Sequence, residues 1–270
     1  MSEQEARRRA GQRGFGVAGA LPHDIVRVLA PAAEEAGYRT FWVNDTPNGD
    51  GLASLRVAAE VTGRIGLGIG VIPLDRQPAA AIARRVIDLE LPADRLLLGV
   101  GSGDPRGGIE RVRSGVRTLD ELGDWRVVVG ALGPRMCAVA GEAADGVLLN
   151  WLAAAYVEPS AAIVEAAARK ASRPQPLIVG YVRTALGDAA RKVFAAEAAR
   201  YAGYAAYAAN FSRMGTPAEE TAVTGGSASD IQAGLGPYAS QLDETVIRAI
   251  TGEETAEAYL ALLEAAAPIA

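Results

Sequence analysis

Continuous apolar runs recur along the chain, and a helical pattern follows nearly every one. The runs are Gly14 to Ala18, Thr40 to Asn44, Ile65 to Val71, Leu96 to Gly101, Val127 to Ala131, Gly146 to Asn150, Leu177 to Val182 and Thr245 to Ile250. Most do not alternate polar with apolar residues. A strand of that kind is buried on both faces, as in a parallel sheet covered by helices. Between the runs lie amphipathic stretches with helix punctuation. Pro22, Pro78 and Pro134 stand at first-turn positions, and Gly37 and Gly63 stand where helices end. The first stripe reads Ile25, Val28, Leu29 and Ala33, and a later one reads Ile109, Val112, Val116, Leu119 and Leu122.

Successive strands are about 20 to 31 residues apart as far as the seventh, close to the minimum for a strand–helix–strand unit. Eight such units predict an α/β fold, a single (β/α)8 TIM barrel. The connection between the seventh and eighth strands is longer. It carries helical pieces at 189–209 and 228–239, and a Gly-, Thr- and Ser-rich stretch, 210–229, that reads as a surface loop or as a lid over the mouth. Residues 1–13 read as a polar flexible tail, and 14–270 as one barrel domain.

Composition removes several classes. Half of the 270 residues are hydrophobic, enough for a core. Twenty-seven basic residues against 32 acidic give a formal net charge of −5, which argues against nucleic acid as a partner. A single Cys137 leaves no intrachain disulfide, and with a single His23 no Cys/His zinc cluster. No stretch reaches the 18 or so apolar residues of a membrane span. The expectation is a cytoplasmic protein with a small-molecule substrate.

A barrel works at the C-terminal ends of its strands. That places Asn44, Asp45, Gly70, Val71, Ser102, Gly103, Asp104, Leu132, Gly133, Asn150, Trp151 and Arg183 at the mouth. Asp45 and Asp104 can move a proton or cap a helix. Gly133-Pro134-Arg135 makes either a helix N-terminus for an anion or an ordinary turn. Arg183 can reach a phosphate. Trp151 can wall a planar cofactor or fill the rim. The glycine runs on strands three and four let a flat ring approach the backbone, or serve tight packing. Cys137 and His23 read as a buried thiol and a surface residue.

Taken together, the runs AEEAGYRTFWVND, TGRIGLGIGVIPLDRQP, DRLLLGVGSGD and VVVGALGPRMCAVAGEAADGVLLNW resemble the bacterial luciferase-like monooxygenase family. Within it they look most like the branch of oxidoreductases that use coenzyme F420. The stretch Thr224 to Tyr238 followed by LDETVIRAI resembles the family's last helix and strand. The resemblance implies a barrel with a cofactor ring at its mouth and a cis peptide at Gly70-Val71 under the ring. It implies catalytic roles for Asn44, Asp45 and Asp104. It implies cofactor contacts from Gly70, Val71, Ser102, Gly103, Leu132, Gly133, Arg135, Asn150, Trp151 and Arg183. Thr46 stands where relatives often carry histidine, and the family's long insertions look reduced. The implied activity is hydride transfer between F420 and a small organic substrate, in a homodimer. The alternatives are FMN-dependent monooxygenation with O2 and a non-catalytic flavin-binding barrel.

Overall fold

The computed structural model describes residues 11–269. Most of the expected tail, 1–10, lies outside them. The barrel is closed and parallel. In chain order its elements are β1 (Gln12–Val17), α1 (His23–Glu35), β2 (Thr40–Val43), α2 (Gly51–Glu60), β3 (Gly66–Pro73), α3 (Ala79–Asp88), β4 (Leu96–Gly101), α4 (Gly108–Leu122), β5 (Arg126–Ala131), α5 (Pro134–Ala143), β6 (Gly146–Asn150), α6 (Val157–Lys170), β7 (Leu177–Leu186), α7 (Gly187–Ala202), α8 (Ala205–Met214), β8 (Val223–Gly225), α9 (Ala228–Ala239), β9 (Glu244–Ile250) and α10 (Ala256–Ala265). Each barrel strand pairs in parallel with the next, and β9 joins β7 to β1. Closure thus uses eight strands, and short β8 is an extra that pairs with the far end of β7.

Two differences from the sequence reading have plain causes. β1 starts at Gln12, and Arg13 is buried rather than part of a tail. Its guanidinium donates to the carbonyls of Ala266 and Ala267 at 2.8 and 2.7 Å. Those are carbonyls left free at the end of α10, so the first strand is tied to the last helix. The stretch 210–229 is not a plain loop. α8 runs on to Met214, a short 3-10 turn follows, and Val223–Gly225 adds itself to β7. In α1 the buried face is Val26, Leu29, Ala30 and Ala33, and Val28 faces out.

The interior of the barrel is its own buried cluster: Trp42, Leu97, Val128, Leu148, Leu177, Val179, Tyr181 and Val246. Strand side chains alternate, so positions two residues on from these also face inward. Many of them are glycines, and each makes room for something. A Cβ at Gly68 would overlap the indole of Trp42. A Cβ at Gly101 would stand 2.8 Å from Val71 Cγ2, and one at Gly130 would stand 2.9 Å from Val71 Cγ1. One at Gly99 would run into the Ile69 carbonyl. Glycines on strands three to five are thus a packing requirement.

At the opposite end of the barrel, Glu244 is fully buried. Trp42 Nε1 donates to it at 2.8 Å and Thr40 Oγ1 at 3.3 Å, with Arg39 Nε at 3.8 Å. Burial nevertheless outweighs these donors and pushes its carboxyl above the usual range.

Two predictions follow from this interior. Because the folded-state Glu244 titrates above the unfolded value of about 4.3, its ionisation costs stability as the pH rises past that value. Glu244→Gln keeps an acceptor for Trp42 and removes that cost. Thermal melts between pH 4 and 8 should show the variant gaining on the parent as the pH rises; a parallel pair of curves contradicts it. Gly130→Ala should destabilise, and Val71→Ala should restore most of the loss. A double-mutant cycle by urea unfolding should give a coupling of about 0.5–3 kcal/mol; additive losses would show that the two positions do not compete for space.

Candidate functional site

The mouth of the barrel is uneven. On the strands from β3 to β5 the inward positions are glycines. On β2, β6, β7 and β9 they are Asn44, Asn150, Arg183 and Arg248. The bulge in β3 separates these halves. Register with β4 breaks between Ile69 and Ile72, and the Gly70-Val71 peptide is cis.

A cavity of about 340 Å³ opens at this bulge. Gly70 and Val71 of the bulge line it together with Leu132, Gly133 and Met136 at the start of α5. Ser102, Gly103 and Pro105 from beyond β4, Leu148 and Asn150 of β6, and Ala206 and Tyr207 of α8 complete the lining. Five of its sixteen lining residues are glycines, so much of the wall is backbone. Such a volume falls in the range of small-molecule sites.

Seven of the expected site residues therefore meet in one place: Gly70, Val71, Ser102, Gly103, Leu132, Gly133 and Asn150. The others stand apart. Asp45 is nearly closed off and pairs with Arg76, while accepting from Gln77 Nε2 at 3.2 Å and the Gly51 amide at 3.3 Å. It ties the loop after β2 to the loop after β3. Asp104 turns outward onto Arg106, whose amide and Nη2 each donate at 2.8 Å, and the side-chain bond holds its carboxyl below the usual range. Arg135 is exposed on the first turn of α5 and does not line the cavity. Asn44 faces the mouth outside the cavity, its Oδ1 buried without a partner.

Trp151 and Arg183 form a buried support instead of a cavity wall. The indole of Trp151 packs against Phe194, Tyr201 and Phe211. The Arg183 guanidinium lies 3.5 Å from the Trp151 ring centroid, donates from Nε to Glu197 at 2.7 Å and from Nη1 to Asn150 Oδ1 at 2.8 Å. Arg183 is thus fully engaged, and it fixes Asn150 so that its amide nitrogen is the end left free for the cavity. Burial opposes ionisation of Glu197, but Arg183, together with Arg248 and Arg200, outweighs it and holds the carboxyl below its ordinary value.

Helix α8 supplies what the sequence reading missed. Tyr207 is the one titratable side chain among the lining residues, and burial pushes its hydroxyl up to about 12. Arg213 reaches across to the turn before α5: its Nη2 donates to the Leu132 carbonyl at 2.7 Å and also contacts Asn210 Oδ1. Asn210 Nδ2 in turn donates to the Trp151 carbonyl at 2.8 Å. These bonds tie α8 to the ends of β5 and β6. The signal was present in the sequence: Tyr201, Tyr204 and Tyr207 recur every third residue and cluster where α7 gives way to α8.

Known proteins resemble the chain in part of its sequence and in its fold. The model of the luciferase-like monooxygenases matches residues 8–124. That match spans less than half of the chain. Over 192 residues the chain is 28% identical to a 5,10-methylenetetrahydromethanopterin reductase of Methanolobus tindarius; the match covers 57% of this chain and 59% of that protein's length. Among solved structures, an F420-dependent secondary alcohol dehydrogenase with an F420-acetone adduct superposes with TM-score 0.74 at 13% identity, over 95% of this chain and 99% of the other. The FMN-bound oxygenating component of 3,6-diketocamphane monooxygenase from Pseudomonas putida superposes with TM-score 0.72 at 11% identity, over 94% and 96%. At such identities the likeness is one of fold. No helix among the described residues is long and apolar enough to cross a membrane.

The Arg183–Glu197 pair yields a further prediction. Glu197→Ala leaves a buried guanidinium without its counter-ion and should destabilise by about 3–5 kcal/mol in chemical unfolding. A loss below about 1 kcal/mol would show that stacking on Trp151 holds Arg183 without it.

Proposed function

We propose that this luciferase-like chain is an F420-dependent oxidoreductase, transferring a hydride between deazaflavin and a small organic substrate. The observation that carries the reading is the shape of the cavity, which runs from the Gly70-Val71 bulge to the helix start at Gly133-Pro134. The named reductase and alcohol dehydrogenase relatives support the choice of cofactor.

The residues present fit such a group. A Cβ at Gly70 would stand 2.7 Å from Leu148 Cδ2 and one at Gly133 3.3 Å from Arg213 Nη1, so side chains at either end would crowd the cavity. Gly70 and Val71 would support the ring from below. The backbone of Leu132 and Gly133, at a helix N-terminus beside the Arg213 guanidinium, would hold a phosphate on the tail. When bound, F420 supplies a carbon that takes or gives a hydride. Asn150 offers its fixed amide to a polar edge. Tyr207, protonated at neutral pH, would hold the proton that accompanies hydride transfer to a carbonyl. Asp45 and Asp104 are tied up in loop contacts and take no part in this reading.

FMN-dependent oxygen chemistry is the second reading, favoured by the FMN-bound Pseudomonas structure. Fluorescence titration of the purified chain with F420 and with FMN separates the two. The proposal expects saturable F420 binding, weakened about tenfold or more by Arg213→Ala through loss of a charge-assisted contact. FMN binding alone moves the case to oxygenation. Binding of neither overturns both.

A further inference from the structure

The cavity accounts for one half of the mouth; the half toward β9, β1 and β2 carries polar groups with nothing to bind. Arg248 faces inward in register with Arg183 on one side and Gly16 on the other. Gly16 has no side chain to shield it. Glu197 pairs directly with Arg183 and also feels the charge of Arg248, but no carboxylate stands within ion-pair distance of Arg248 among the described residues. Arg248 Nη1 contacts only the Ala249 carbonyl, and its Nε is buried with no acceptor. Two more buried atoms of neighbouring strands lack partners. One is the hydroxyl of Tyr181, two residues before Arg183 on β7; the other is Oδ1 of Asn44, the residue just past β2. The Tyr181 hydroxyl stands 2.9 Å from where a Cβ of Gly70 would be, immediately behind the cavity wall. Buried polar groups are normally satisfied, and three orphans at one end of one barrel call for a ligand.

We propose that Arg248, with the Tyr181 hydroxyl and Asn44, forms the recess for the substrate, and that it takes a carboxylate. The inference rests on the cofactor reading for its role, since the recess adjoins the Gly70 end of the cavity. A carboxylate supplies what is missing: a negative charge in direct contact with the Arg248 guanidinium and acceptors for Nε–H and O–H. Arg248 is half-buried, so the pair would be partly desolvated and stronger than a surface ion pair. Tyr181 lies edge-on to Trp42 with ring centroids 5.7 Å apart, which puts an indole reporter next to the recess.

Calorimetric titration of the purified full chain with benzoate and benzamide, and with acetate and acetamide, tests this without any turnover. Each carboxylate should bind about tenfold or more tighter than its amide. Arg248→Gln should erase that preference, Arg248→Lys should keep part of it, and Tyr181→Phe should weaken carboxylate binding several-fold. Equal binding of amide and carboxylate, unchanged binding in R248Q, or no carboxylate binding overturns the proposal. If R248Q does not fold, R248K and Y181F carry the same comparison. F420 and FMN titrations on the same samples separate the two claims. A carboxylate preference without cofactor binding leaves the recess and removes its role; cofactor binding without the preference does the reverse.

Discussion

The interior of this barrel depends on small residues facing large ones across its axis. Trp42 and Val71 project inward, and the glycines at 68, 99, 101 and 130 leave the volume they occupy. A close-packed interior accepts no extra methyl group without a shift. The same exchange makes the site. Where glycines line β3, β4 and β5, the wall of the mouth is backbone, and a flat ligand can lie against it. Packing and binding are here two uses of one pattern.

Charge divides the mouth a second way. Arg183 is neutralised by Glu197, stacked on Trp151 and spent on orienting Asn150. It is a support, although its place at the end of β7 makes it look like a ligand-binding residue. Arg248, one strand away in register, has another character: it feels Glu197 without touching it, and it keeps a buried donor without an acceptor. Two arginines at the same height in adjacent strands therefore do different work, and their partners decide which.

Much of the fold was legible because each strand is a continuous apolar run closed by Gly or Pro punctuation. The strand ends followed from the barrel, which is why Gly70, Val71, Ser102, Gly103, Leu132, Gly133 and Asn150 could be named together. Side-chain direction was not legible. Asp45 and Asp104 sit at the right strand ends yet turn to Arg76 and Arg106, cations contributed by loops. Trp151 turns down into the aromatic face of α7 and α8 instead of up into the cavity. Tyr207 and Arg213 lie in the long connection between β7 and β9, where no strand end marks them. Tyr181 and Arg248 sat inside runs whose apolar neighbours identified them only as strand.

The central claim is that the cleft between the Gly70-Val71 bulge and the Gly133 helix start is a cofactor site. A crystal structure grown with F420 tests it most directly. The account predicts the ring against Gly70 and Val71 under Tyr207, with the phosphate end at Leu132, Gly133 and Arg213. Cofactor density elsewhere on the molecule, or a cleft left empty at saturating F420, would contradict it.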